Sequence, residues 1–230
     1  MLTLEEVKYG QGDFSLQADF AVPVGARVAV IGPSGGGKTT LLNLVAGFHV
    51  PTQGRIFWDG VDLADTPPGA RPVSILFQDN NLFPHLTVAQ NVGLGLRPDL
   101  RLTAAQKDQV EAVLARVDLL GYGGRKPAAL SGGQMSRVAL ARMLLRAKPL
   151  LLLDEPFAAL GPALRDEMLD LVSELVVETG ATLMMVSHNP EDAKRIAESV
   201  VLVSEGVAHA PVETGEIFAN PPEALRAYLG

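Results

Sequence analysis

No cysteine occurs in the 230 residues, which excludes disulfides, thiolate metal sites and cysteine nucleophiles and fits a cytosolic setting. Long apolar runs are missing too. None approaches the roughly 20 residues needed to cross a bilayer. The opening Met1-Leu2-Thr3-Leu4-Glu5-Glu6 has no basic segment ahead of an apolar one, so no secretion signal is expected. Lys and Arg number 19 against 26 Asp and Glu, and they are scattered. The net charge of −7 therefore comes without the basic stripe of a nucleic-acid binder, and no nucleic-acid partner is expected. Internal repeats and low-complexity segments are absent as well.

The chain does have enough length for one large domain, and 47 % hydrophobic residues with which to bury a core. Parallel strands covered on both faces produce that composition, as does an apolar docking surface. Phe14, Leu16, Ala18 and Phe20 alternate with polar residues, predicting a half-buried strand. Strands are also predicted over 27–31, 54–58, 73–77, 150–153, 182–186 and 199–203. Helices are predicted over 38–46, from an N-cap at Thr103 through Val117, over 136–146, and across the apolar positions from Leu164 to Val176. Strands and helices alternate at both ends, and a helix-rich block sits between them. The expectation is an α/β fold with a mostly parallel sheet and helices on both faces. Residues 1–86 and 148–230 form its core and residues 87–147 an inserted helical subdomain, in a single domain spanning 1–230.

Two segments carry nucleotide chemistry. Gly32-Pro33-Ser34-Gly35-Gly36-Gly37-Lys38-Thr39, followed by Thr40, fits G-x-x-x-x-G-K-[ST] between a strand and a helix. Glycines let backbone N–H groups converge on phosphate oxygens, and the following helix adds its positive end. Lys38 is expected to reach the β- and γ-phosphates of ATP, and the Thr39 hydroxyl to bind Mg²⁺. Downstream, Leu150 to Leu153 run into Asp154-Glu155. Strand-end carboxylates by themselves are commonly just solvated. Beside a phosphate loop they divide the labour, Asp154 holding Mg²⁺ and Glu155 polarising the attacking water.

Leu130-Ser131-Gly132-Gly133-Gln134, read between these segments, resembles the signature of ATP-binding-cassette (ABC) ATPases, and the resemblance covers nearly the whole chain. It implies the ABC ATPase fold: a P-loop NTPase core, an antiparallel β subdomain and a helical subdomain that ends in the signature. It also implies further roles. Gln78 resembles the Q-loop glutamine that senses Mg²⁺ or water and touches the membrane partner, and His188 the switch histidine that contacts the γ-phosphate and orients Glu155. Tyr9 sits where the family stacks an aromatic on adenine, with Phe14 as its rival. Ser131, Gly132, Gly133 and Gln134 would contact ATP held by a second copy, paired head to tail around two nucleotides.

The same resemblance implies an importer's free-standing ATPase on the cytoplasmic face of the inner membrane. Its partners would be permease subunits and, through them, a periplasmic or lipid-anchored substrate-binding protein. Asn80 to Val88 is the expected docking segment. The chain closes at Tyr228-Leu229-Gly230, without room for a sizeable C-terminal regulatory domain. Arg71 to Ser74, Gln78 to Phe83, His85 to Leu96, Gly47-Phe48 and Asp154 to Arg165 resemble the ATPases of thiamine importers. Importers of iron, sulfate or polyamines, a non-transport cassette and an ATP-binding scaffold are the alternatives. Two departures stand out. The D-loop pattern Ser-Ala-Leu-Asp reads Ala158-Ala159-Leu160-Gly161 here, which puts communication between the two sites in question. Met135 and Ser136 also replace the polar or basic residues usual before Arg137.

Overall fold

The computed structural model describes residues 1–229; Gly230, the last residue of the closing segment, lies outside the described residues. In chain order it runs β1 (Leu2–Gln11), β2 (Phe14–Val22), β3 (Arg27–Ile31), α1 (Lys38–Ala46), β4 (Gln53–Trp58), β5 (Val61–Asp62), β6 (Val73–Leu76), α2 (Val88–Gly93), α3 (Ala104–Arg116), α4 (Gly132–Leu145), β7 (Leu150–Asp154), α5 (Pro162–Thr179), β8 (Thr182–Val186), α6 (Pro190–Ile196), β9 (Ser199–Ser204), β10 (Val207–Ala208), β11 (Val212–Glu213), α7 (Thr214–Ala219) and α8 (Glu223–Leu229).

The described strands form one mixed sheet in the order β5-β4-β1-β2-β10-β9-β3-β8-β7-β6, with β11 beside β9. Strands β9, β3, β8, β7 and β6 are mutually parallel, and β5, β4, β1 and β2 are antiparallel. Between these halves only β10 intervenes, parallel to β2 and antiparallel to β9. The register sets the site: Val30 of β3 and Asp154 of β7 both lie opposite Val186 of β8. The phosphate strand, the carboxylate strand and the histidine strand therefore end at the same level. Open parallel sheets bind ligands at those carboxyl ends.

The central strands β3, β7 and β8 are apolar except at the end residues Arg27, Asp154 and Thr182 because both faces are covered. Leu150 and Leu152 of β7, with Met184 and Val186 of β8, pack with Leu41, Leu42, Leu44 and Val45 of α1 and with Leu2, Leu4 and Leu16 of the antiparallel half. Leu151, Leu153, Leu183 and Met185 face the other way, toward Met168, Leu169, Val172 and Val176 of α5. Helices α2, α3 and α4 share a separate apolar cluster containing Val88, Val92, Val110, Leu114 and Val138.

Two local differences from the sequence expectation have physical causes. Strand β1 goes unpredicted because its alternation changes phase: Leu2 and Leu4 are buried, then Val7, across a bulge where Glu6 takes φ 46°. Helix α4 begins at Gly132, four residues before the expected start at Ser136, because Ser131 and Gln134 form a capping box.

Candidate active site

Helix α1 differs from its neighbours at its first turn. Thr87, Thr103 and Ser131 close α2, α3 and α4 with capping boxes. Gly37 before α1 takes φ 107° and gives no side-chain cap, and the first turn holds no acid. The leading N–H groups of α1 are thereby left for an external acceptor, favoured by the positive helix end. The loop's glycines are also fixed by packing. A Cβ on Gly32 would lie 2.0 Å from the Val203 carbonyl oxygen, and one on Gly37 2.9 Å from the Phe14 ring. The Lys38 ammonium, 7 % exposed, donates to the carbonyls of Gly32 at 2.8 Å and Pro33 at 2.9 Å. Burial pulls its pKa down, opposed by the charges of Glu155 and Asp154.

Facing the loop, the Thr39 hydroxyl donates to Asp154 Oδ1 at 3.1 Å. Burial pushes the Asp154 carboxyl up, with the Thr39 hydrogen bond opposing and Glu155 assisting. Glu155 leaves the strand with φ 47°, a left-handed conformation uncommon for a side chain of its kind, its N–H held by the Val186 carbonyl at 3.1 Å. Across from it, His188 Nδ1 lies 3.2 Å from Glu155 Oε2. A cavity of about 380 Å³ is lined by Gln11, Phe14, Ser34, Gly35, Gly37, Lys38, Thr39, Thr40 and Glu155. A larger cavity of about 750 Å³ lies between β9 and helices α7 and α8. It gathers no lysine, arginine or glycine loop, so size does not mark the chemistry here.

The remaining expected residues lie further out. Gln78 is exposed, two residues past the end of β6 and directly after Phe77. Tyr9 does not line the 380 Å³ cavity; it stacks on His49 with ring centroids 4.9 Å apart, and its hydroxyl donates to Gln11 Oε1 at 3.0 Å. Phe14, its rival, does line the cavity. Ser131 and Gly132 are exposed on α4, while Gly133 is buried where a Cβ would meet Leu164 Cδ2 at 2.4 Å. Ser131 Oγ accepts from the Gln134 N–H at 3.3 Å, and Gln134 Oε1 accepts from the Ser131 N–H at 3.0 Å. Gln134 thus orients Ser131 and leaves its O–H free to donate outward.

A model of the ABC transporter family matches residues 16–158, well over half of the chain. The chain belongs to the ABC transporter family. Among curated relatives, the thiamine import ATP-binding protein ThiQ of Cereibacter sphaeroides is 60 % identical over 230 residues, the whole of both chains. ThiQ of Ruegeria sp. (strain TM1040) is 54 % identical over the same span, again covering both chains in full. ThiQ of Shigella boydii serotype 4 is 50 % identical and covers all of this chain and 99 % of its own. Among solved structures, the dimeric post-hydrolysis state of the ATP-binding cassette MJ0796 bound to ADP and Pi superposes with a TM-score of 0.80 at 29 % identity. The match covers 93 % of this chain and 99 % of that one. The expected ABC ATPase fold is therefore the fold of this chain.

Three structural supports of this ABC cassette were not read from the sequence. Arg71 is 4 % exposed and donates to the carbonyls of Thr66, Leu63, Leu44 and Val45, the last two at the C-terminal end of α1. Fully buried Asn91 ties down the segment before α2: its Oδ1 accepts from the Phe83 N–H, and its Nδ2 donates to the carbonyls of Phe83, Leu86 and Thr87. Arg142 donates to the carbonyls of Asn80 and Asn81. Arg71 and Asn91 lie in segments that carry the resemblance, but no motif gives any of the three its bracing role. The T-x-x-Q and S-x-x-Q spacings of the capping boxes were the available signal for α2 and α4, which carry Asn91 and Arg142.

Proposed function

We propose that the chain is the ATP-hydrolysing subunit that powers a thiamine importer. One observation carries the ATPase half. Lys38 in the glycine loop, the Thr39–Asp154 pair and the Glu155–His188 pair all meet where three parallel strands end at one level. The substrate half is supported by full-length likeness to relatives named for thiamine import.

In this reading the Lys38 ammonium exchanges the Gly32 and Pro33 carbonyls for β- and γ-phosphate oxygens, and the uncapped first turn of α1 supplies further N–H donors. Thr39 Oγ1 and Asp154 are hard oxygen donors 3.1 Å apart. They fit Mg²⁺, which takes one or two carboxylates and leaves the rest of its shell to waters and phosphates. Among the described residues no group of three or more His, Asp or Glu side chains is arranged to hold a metal ion by itself, as suits an ion completed by substrate. When bound, Mg²⁺ neutralises charge on the phosphates. Glu155 accepts a proton from the attacking water, His188 holds Glu155 in place, and Gln78 senses the bound nucleotide. Tyr9 or Phe14 stacks on adenine. Ser131, with the N–H groups of Gly132 and Gly133, caps the nucleotide of a second copy, so closure around ATP and reopening after hydrolysis produce the mechanical stroke.

The permease docks on Asn80 to Val88, near Gln78 and at the entry to the helical subdomain of residues 87–147. Phe48 and Phe83 are 51 % and 45 % exposed, and the segment bearing Phe83 is pinned by Asn91 and Arg142. A pre-ordered apolar surface binds at a lower entropic cost than a mobile one. No helix among the described residues is long and apolar enough to cross a membrane. The subunit is held at the cytoplasmic face of the inner membrane by its permease, which a substrate-binding protein serves from the other side.

Reconstitution of the chain with its membrane subunits and a thiamine-loaded binding protein tests both halves. ATPase activity should rise when thiamine is supplied. A rise with iron, sulfate or a polyamine, and none with thiamine, would overturn the substrate assignment. Absence of hydrolysis under every condition would overturn the ATPase.

A further inference from the structure

The segment Ser187–Asn189 between β8 and α6 is fastened at each of its residues. Ser187 Oγ donates to Asp192 Oδ2 at 2.6 Å and accepts from the Asn189 N–H at 3.0 Å. The Asn189 side chain caps α6 through the Glu191 N–H at 3.1 Å. Those contacts are local. His188 is different: its backbone carbonyl accepts from the Tyr228 hydroxyl on α8, 40 residues further along the chain.

The imidazole of His188 is half-exposed, and its side-chain partner is Glu155. An exposed ring held by one contact is oriented mainly by the backbone beneath it, because few rotamers are open to it from a fixed peptide. Tyr228 is well placed to do the fixing. Its ring packs against the cluster of Ala193, Val200, Ile217 and Leu225, and Leu225, one helical turn away, is fully buried. Burial, with the carboxylates of Glu155 and Asp192 nearby, raises the phenol pKa and keeps the hydroxyl a donor.

We infer that Tyr228 is a positioning residue for hydrolysis. By holding the His188 carbonyl, helix α8 sets the imidazole on Glu155. This rests on the ATPase reading above. It makes α8 part of the switch, although no phosphate-binding motif lies there. Tyr228 acts through His188 and touches no reacting atom.

Tyr228→Phe keeps the packed ring and removes only the donor. With the wild-type chain as reference, kcat should fall about fivefold, the worth of one hydrogen bond. KM for ATP should hold, and the thermal midpoint should fall by no more than the roughly 2–4 °C that one hydrogen bond is worth in a chain of this size. In a His188→Ala background the same substitution should leave the residual rate unchanged. A wild-type chain without ATPase activity would overturn the reading beneath and this inference with it. An active wild type with an equally active Tyr228→Phe variant would overturn the inference alone. A loss of kcat that travels with a larger drop in midpoint or a higher KM would mark Tyr228 as structural only. An equal loss in the chain already carrying His188→Ala would place its effect elsewhere and overturn the inference too.

Discussion

Asp154 sits where burial works against its charge. Desolvation is the leading cause of its raised pKa and outweighs the help from the Thr39 hydroxyl and the Lys38 ammonium. A carboxyl raised in the folded state favours folding in its protonated form. That contribution is present below the usual aspartate range and is lost as pH rises through the raised value. At neutral pH the ionised group therefore strains the fold in the service of the site. Asp154→Asn keeps an oxygen for Thr39 and removes the charge. It should raise the ligand-free midpoint by about 1–3 °C at pH 7, with the gain shrinking in acid, while hydrolysis is lost; thermal denaturation across pH checks this, and a lower midpoint at pH 7 would refute it. Lys38, Thr39, Asp154, Glu155 and His188 were legible in the sequence because each follows an apolar strand or a glycine loop that places it. Arg71 was not. It reads as a family marker beside Pro72, yet its guanidinium is spent on four backbone carbonyls, a role set by tertiary packing that no local pattern announces.

Helices show a similar division. Thr103 was legible as an N-cap because its Gln106 follows three residues later and an apolar periodicity begins there. The start of α4 was not, since glycines at its first two positions hide a helix that the Ser131–Gln134 box nonetheless nucleates. Helices α6, α7 and α8 span 7, 6 and 7 residues, too short for a periodic signal, and they form by packing in one cluster with Ala29 and Ile31 of β3 and Val200 and Leu202 of β9. At α5 the sequence carries an omission that the structure makes testable. Gly161 is its N-cap with φ −65° and ψ 158°, no side-chain bond and no acid in the turn that follows. A Cβ there meets nothing within 4 Å. Gly161→Asp should supply the missing cap and complement the helix end, raising the midpoint by about 1–3 °C. Turnover should stay level or increase, and a tenfold loss of ATPase rate would show that glycine itself is required.

For the molecule as a whole, we propose that the exposed signature and the phosphate loop complete each other across two copies. The superposition on a dimeric cassette supports that arrangement. Glu155→Gln should retain ATP, stop turnover and accumulate a species of doubled mass in size-exclusion chromatography with light scattering at saturating ATP. A monomer hydrolysing at the normal rate would remove Glu155 from its role. The sheet adds a consequence of a different kind. Among the described residues its two halves are joined in the sheet by β10, whose Val207 and Ala208 are each paired to both sides, and α1 packs with both halves in one apolar cluster. The helix that begins at Lys38 is thus the keystone of the architecture. Fuel and cohesion would then meet in one part: a nucleotide held at the start of α1, as proposed, stabilises the folded state through the helix that packs with both halves.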